Sequence, residues 1–134
     1  MIIGIGNDME SISRIEAVLN RRPNFLSTIL TPEEMAAANK RSGKHYLEFV
    51  AGRFSAKEAY SKALGTGIGK AVSWHDMCIL NDDMGRPVIT VSGQKNELSV
   101  AITHSGDYVS TIVTIEKLSC FQKWSKKRWE KREK

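Results

Sequence analysis

A long helical pattern in the middle of the chain constrains the fold more than any other feature of the sequence. Apolar residues recur at helical intervals from about Lys44 to Leu64. Gly65 follows, and glycine commonly ends a helix in the left-handed conformation. Beyond it the period of the pattern changes to that of strands. Helices in the first half and strands in the second predict an α+β fold, with an antiparallel sheet packed against the long helix.

Shorter patterns complete this prediction. A buried strand over Ile2 to Ile5 is expected to end in a turn at Gly6-Asn7-Asp8. Ser11 or Ser13 is a suitable cap for a first helix, and Thr31-Pro32 is typical of a helix start. Four strands are predicted after the long helix, over residues 77–80, 88–91, 99–103 and 109–115.

The basic charge of the chain lies at its C-terminus. Seven basic and two acidic residues fall between Lys123 and Lys134, and they account for the whole net charge of +5. We therefore expect a domain over residues 1–118 and a basic tail over residues 119–134. A small nucleic-acid-binding module that uses this tail as an arm is an open alternative at this point.

The sequence carries no sign of membrane insertion or secretion. No apolar run approaches the roughly 20 residues that span a bilayer. The apolar start has no basic flank and stops at Asp8, unlike a secretion signal. Cys78 and Cys120 have no metal-site or redox spacing. These features favour a cytoplasmic protein without membrane insertion.

A few polar residues form a set suited to phosphate chemistry. Glu58 and Lys62 are four residues apart and share a helical face, although an exposed ion pair would have the same spacing. Asp8 can be a plain turn residue, and His104 a structural histidine. Together with the glycine-rich run that starts at Gly65, they match the way Mg²⁺ is held by one or two carboxylates plus substrate phosphates.

Three blocks of the sequence resemble the bacterial holo-[acyl-carrier-protein] synthase family, the short phosphopantetheinyl transferases. They are Gly4-Ile-Gly-Asn-Asp8, the run from Arg53 to Gly67 around Lys57-Glu58, and Thr103-His104-Ser105. The similarity extends from Met1 to about Leu118. It implies a phosphopantetheinyl transferase fold that assembles as a homotrimer, with active sites between subunits.

The resemblance also implies a reaction and its site. The expected activity is transfer of 4'-phosphopantetheine from coenzyme A to a serine of apo-acyl carrier protein, releasing 3',5'-ADP. Magnesium is expected at Asp8 and Glu58, with Lys62 and His104 as further catalytic residues. We expect coenzyme A to be bound by Lys62, Gly65, Thr66, Gly67, His104 and Ser105. Arg53 lies about 140° around the helix from Glu58, so Arg53 and Lys44 are expected to serve coenzyme A bound largely by a neighbouring chain.

The first helix offers a surface for the protein partner. Arg14, Arg21 and Arg22 lie off its apolar face, and acyl carrier proteins are strongly acidic. We expect these arginines to dock the carrier, while a merely solvated basic face is the alternative. In this interpretation the protein has no nucleic-acid partner.

Overall fold

The computed structural model describes the chain from Met1 to Glu130. In chain order the elements are β1 (Ile2–Ser11), α1 (Ile12–Arg21), α2 (Phe25–Ile29), α3 (Pro32–Asn39), α4 (Gly43–Leu64), a 3-10 turn (Trp74–Asp76), β2 (Met77–Asn81), β3 (Pro87–Val91), β4 (Glu97–Ser105), β5 (Tyr108–Glu116) and α5 (Cys120–Glu130). None of the helices in this range is long and apolar enough to cross a bilayer.

The strands form two antiparallel sheets. A three-stranded sheet has the order β1-β5-β4, and β2 pairs with β3 as a separate hairpin. In the larger sheet Asp8 pairs with Thr111, and His104 pairs with Val109. The long helix α4 packs on one face of this sheet. The predicted α+β class is therefore confirmed, with the strands divided between two sheets.

Two glycines let β1 lie directly on α4. A Cβ atom at Gly6 would stand 2.0 Å from the carbonyl oxygen of Ala59, and one at Gly4 would stand 2.4 Å from that of Ala63. Alternate residues of a strand share a face, so Asp8 continues the row that these glycines begin. The close approach thus brings the Asp8 carboxylate against α4.

A buried ion pair fixes α4 to its surroundings next to Glu58. The Lys57 ammonium donates to Glu34 Oε1 at 2.6 Å and to the carbonyl oxygens of Ile29 and Trp74 at 2.6 and 3.0 Å. Both charged side chains are fully buried. Burial lowers the pKa of Lys57, and the hydrogen bond and charge of Glu34 oppose that shift. Four segments of the chain are therefore joined at one ammonium group.

Helix boundaries agree closely with the sequence signals. Ser11 caps α1 by accepting from Arg14, and Thr31 forms a reciprocal capping box with Glu34 at the start of α3. Gly65 ends α4 with a φ of +81°. Capping side chains and a left-handed glycine determine these boundaries locally, which explains why the sequence predicted them.

The predicted turn at Gly6-Asn7-Asp8 is wrong. β1 continues to Ser11, and Asp8 lies inside the strand instead of after it. Gly4 and Gly6 do not reverse the chain. They allow β1 to contact α4, because a residue without a side chain leaves room for the helix backbone. The tail after Leu118 contains the helix α5, and residues 131–134 lie outside the described range.

Candidate active site

Asp8 and Lys62 meet where β1 crosses α4. The Lys62 ammonium donates to Oδ1 of Asp8 at 2.9 Å. Asp8 is 7% exposed, and its Oδ2 has no hydrogen-bond partner among the residues that the structure describes. The hydrogen bond to Asp8 is the main reason that the pKa of Lys62 is raised. One carboxylate oxygen is therefore held by a cation, and the other is buried with a free lone pair.

Two further carboxyl groups share this environment. The pKa of Glu58 is raised by burial and then by the charge of Asp8, while Lys62 opposes the shift. Glu10 lies two residues beyond Asp8 on the same face of β1. Burial, the neighbouring Asp8 carboxylate and the charge of Glu58 raise the pKa of Glu10 to about 7. Negative charge is concentrated here, which favours a cation.

The carboxylates of Asp8 and Glu58 suit a magnesium ion that takes only some of its ligands from the protein. Within residues 1–130 no group of three or more His, Cys, Asp and Glu side chains is placed to hold a metal alone. Mg²⁺ commonly takes only one or two protein carboxylates and fills its shell with water and substrate phosphate oxygens. The unpartnered Oδ2 of Asp8 and the nearby Glu58 carboxylate suit that mode.

Apart from the Asp8–Lys62 pair, a cavity of about 550 Å³, called here the second cavity, lies beside the N-terminal half of α4. Its lining includes Arg53 and His104. The cationic side chains of Lys40 and Arg41 border the same space. His104 Nε2 lies 3.8 Å from the carboxylate of Glu48. The positive lining and the imidazole suit an anionic ligand such as a phosphate.

Arg53 also has a structural role. It is only 5% exposed, and burial lowers its pKa to about 10. Its guanidinium donates to the carbonyl oxygen of Ile79 and to the side chain of Asn81, and it lies 3.8 Å from the Phe49 ring. These contacts hold the β2–β3 hairpin against α4, and the guanidinium still borders the cavity.

The structure does not gather all expected residues of one chain at one place. Glu58 lies ten residues beyond Glu48 on α4, a separation of about 15 Å along the helix axis. His104 is therefore distant from the Asp8–Lys62 pair. Lys44 is exposed and pairs with Glu48 at 3.6 Å, near the second cavity. Ser105 ends β4 and is exposed.

The glycine-rich loop begins one turn beyond Lys62. Gly65 and Gly67 have φ values of +81° and +70°, and both are exposed with Thr66 between them. The amide of Gly67 donates to the Ser61 carbonyl at 3.4 Å. The loop is thus a direct continuation of the helix that carries Glu58 and Lys62.

A groove of about 230 Å³ between α1 and α4 contains all three arginines expected to dock a partner. Arg14, Arg21 and Arg22 are exposed, as expected. Glu10 borders the same groove. A partner lying on α1 would therefore reach toward the carboxylates.

The outer face of the larger sheet is apolar and open. Ile5, Met9 and Ile112 are 62%, 62% and 41% exposed, and a concavity of about 500 Å³ lies on this face. Exposed apolar surface of this kind is typical of a contact between protein chains.

Sequence reasoning missed Glu10 and Glu48. The position of Glu10, two residues after Asp8, was a usable signal once the strand was known to continue. Glu48 follows Lys44 at the helical spacing of four, but its approach to His104 depends on how β4 packs against α4. That packing has no local signal.

Comparison with known proteins places these features in a family. The model of the 4'-phosphopantetheinyl transferase superfamily matches residues 4–113. A holo-[acyl-carrier-protein] synthase from Leuconostoc citreum is 54% identical over 98% of this chain and 98% of its own length. One from a Geobacillus strain is 50% identical over 89% of this chain and 100% of its own length.

A solved structure also matches. The holo-(acyl-carrier-protein) synthase of Bacillus anthracis, in complex with CoA (3',5'-ADP), is 44% identical with a TM-score of 0.82. The match covers 88% of this chain and 99% of the solved chain. The structural similarity therefore covers nearly the whole of that enzyme.

Proposed function

The chain belongs to the 4'-phosphopantetheinyl transferase superfamily, and we infer that it transfers 4'-phosphopantetheine from coenzyme A to a serine of apo-acyl carrier protein. The second product is 3',5'-ADP. The observation that carries the inference is the meeting of Asp8, Glu58 and Lys62 where β1 crosses α4, with one buried Asp8 oxygen left without a partner. The nucleic-acid-binding alternative has no support from the relatives.

Magnesium is proposed at Asp8 and Glu58. The unpartnered Oδ2 of Asp8 and the neighbouring Glu58 carboxylate would hold the ion, and the rest of its shell would be left to water and substrate phosphate oxygens. A bound ion would polarise the phosphate and neutralise charge on the leaving group. Lys62 orients the Asp8 carboxylate through their hydrogen bond at 2.9 Å.

Lys62 also has a direct part in the proposed reaction. Its side chain is 53% exposed although it is bonded to Asp8, so the ammonium can contact a substrate phosphate. Charge grows on the oxygen that leaves with 3',5'-ADP as the carrier serine attacks the phosphorus. A fixed ammonium beside that oxygen stabilises the transition state.

Glu58 is the proposed acceptor of the serine proton. Without a metal, burial and the charge of Asp8 raise the pKa of Glu58, and a bound cation would lower it again. An oxygen of this carboxylate that the ion leaves free would accept the proton. His104, the backbone of Gly65, Thr66 and Gly67, and the Ser105 hydroxyl are proposed to hold phosphate oxygens. Lys44 and Arg53 contribute positive charge at the second cavity.

A homotrimer with sites between subunits reconciles the two separated regions. His104 and Arg53 border one cavity, and the Asp8–Lys62 pair lies well along α4 from it. Coenzyme A is an extended molecule that can contact one region on each of two chains. The exposed apolar face of the larger sheet supports such an assembly.

The groove on α1 is the proposed site for the acyl carrier protein. Its three arginines attract an acidic partner, and Glu10 at its edge is adjacent to Asp8 in β1. A carrier docked there presents its serine toward the proposed magnesium site.

The reaction is tested by measuring the intact mass of an apo-acyl carrier protein after incubation with this protein, magnesium and coenzyme A. A gain of one phosphopantetheine is expected. ATP in place of coenzyme A should give no such gain, and an unmodified carrier in the presence of coenzyme A would refute the proposal. Removing residues 119–134 should leave the reaction intact, since the superfamily match ends at residue 113.

A further inference from the structure

The helix α5 lies outside the part of the chain that matches the superfamily model. Lys126 forms an ion pair with Glu97, the first residue of β4. Phe121 and Trp124, which lie on roughly the opposite side of the helix at about 100° per residue, are 75% and 57% exposed. The helix therefore turns its aromatic side away from the body of the protein.

The outward face combines aromatic rings with positive charge. The Phe121 and Trp124 rings are 6.3 Å apart, and the Arg128 guanidinium lies 5.2 Å from the Trp124 ring. Four basic residues and no acidic residue occur from Cys120 to Arg128, but Lys126 is paired with Glu97 on the inner side of the helix. The cations beside the rings are Arg128 and Lys127, which follows Trp124 at the helical spacing of three. On the inner side of the helix, the lysines of α5 border a cleft of about 270 Å³ together with Lys95 and Glu97. An apolar, cationic surface of this kind suits an anionic partner that also accepts apolar groups.

We propose that α5 docks this protein onto an anionic phospholipid bilayer, with Phe121 and Trp124 entering the interface and the surrounding cations contacting lipid phosphates. Interfacial helices bind through buried apolar side chains plus attraction to anionic lipids, and each nearby Lys or Arg strengthens that attraction. The helix is far too short to span the bilayer, so the contact is peripheral.

The position of α5 argues for a lipid surface over the acyl carrier protein. Glu97, which holds α5, pairs with Glu116 at one end of the three-stranded sheet. The arginine-bearing helix α1 starts after Ser11, which pairs with Tyr108 at the other end. Nine residues of strand separate these ends by about 30 Å. A carrier on α1 therefore does not cover α5 of the same chain.

The test is flotation of the full chain with vesicles of equal parts phosphatidylglycerol and phosphatidylcholine, compared with phosphatidylcholine alone. We expect binding to the anionic vesicles only, weakened by high salt. Phe121→Ala with Trp124→Ala, and Lys123→Glu with Lys127→Glu, should each lower the partition coefficient about tenfold or more. The matched control, Lys70→Glu with Lys117→Glu, changes the same charge elsewhere and should retain most of the binding.

Several results would overturn the proposal. The protein could remain in the aqueous fraction with anionic vesicles, or the control could lose as much binding as the α5 variants. A smaller oligomer for Phe121→Ala with Trp124→Ala would assign the face to another copy of the chain. A raised KM for the carrier without any loss of vesicle binding would assign it to the carrier. Carrier modification itself is measured without vesicles, so failure here is distinct from failure of the proposed reaction.

Discussion

The Lys62 ammonium lies 2.9 Å from Oδ1 of Asp8, while Oδ2 of the same carboxylate is buried and unpartnered within residues 1–130. A lysine therefore satisfies one side of the carboxylate and leaves the other side for a second positive group. Lys62 is exposed enough to contact substrate at the same time. This arrangement distinguishes the site from a simple surface ion pair, in which both oxygens would face water.

Asp8→Asn and Glu58→Gln should each lower kcat by about 10³-fold or more. Each change removes a charge that the proposed magnesium site needs, and losses of this size correspond to about 4 kcal/mol of transition-state stabilisation. Carrier modification at varied magnesium concentration is the measurement. Glu33→Gln, an exposed carboxylate at the start of α3, is the control and should keep normal turnover. Near-normal magnesium-dependent turnover in the Asp8 and Glu58 variants would contradict the assignment.

Gly6→Ala should destabilise the fold and displace Asp8. The added Cβ would stand 2.0 Å from a backbone oxygen of α4, so strand and helix must separate, at a cost of about 1–3 kcal/mol or more. Gly52→Ala is the matched comparison, because its Cβ would meet only side chains, those of Ile102 at 3.3 Å and Val109 at 3.9 Å. Thermal unfolding should show a clearly larger loss for Gly6→Ala. Equal losses would mean that the contact between β1 and α4 is more compliant than the structure indicates.

Lys57→Met should cost about 3–5 kcal/mol of unfolding free energy, since it leaves the buried Glu34 carboxylate without its cation. Adding Glu34→Gln should recover part of the loss, because the amide oxygen can still accept from a backbone amide that now bonds the carboxylate. Chemical denaturation of the two single variants and the double variant measures the coupling. Simple additivity would show that the two charges do not depend on each other.

The same residues show what the sequence alone could predict. The boundaries of α3 and α4 follow from local signals at Thr31 and Gly65, so the sequence predicted them well. The fold class followed from the change of period along the chain. Asp8 and Glu58 were chosen by resemblance to a family, and each has a plain structural alternative when taken alone.

The remaining features depend on contacts between distant segments. The contacts of Gly4 and Gly6 with α4 keep Asp8 inside a strand. The sequence around Asp8 gives no sign that these glycines pack against a helix more than fifty residues away. The burial of Arg53 depends in the same way on the β2–β3 hairpin, which supplies both of its hydrogen-bond acceptors. Register and packing, which are not local properties, decide these placements.

Glu10 should make stability depend on pH in the absence of magnesium. Its pKa is raised from 4.5 to about 7 in the folded protein. A raised pKa means that the folded state binds the proton more tightly, so this stabilisation is complete below about pH 4.5 and is lost as the pH rises through 7. Because the side chain is only half-buried, we expect a contribution of about 1 kcal/mol after screening by solvent.

Glu10→Gln removes this titration. Chemical denaturation in EDTA between pH 4.5 and pH 8 should show a smaller fall in stability for the variant than for the unmodified protein. Glu16→Gln, an exposed position on α1, serves as the control and should follow the unmodified protein. Parallel curves for Glu10→Gln and the unmodified protein would place the carboxyl group in a more solvated setting.

The proposed sharing of sites between subunits predicts complementation between inactive chains. His104→Ala and Glu58→Ala alter regions that lie far apart in one chain, and a shared site would take one from each subunit. In randomly mixed trimers about a quarter of such sites receive both intact residues, so activity should return to roughly that fraction. The chains are unfolded and refolded together, and carrier modification is then measured.

Asp8→Ala mixed with Glu58→Ala is the control, because these residues meet around Lys62 of the same chain and every site would lack one of them. A mixture of His104→Ala and Glu58→Ala no more active than this control would confine the site to a single chain.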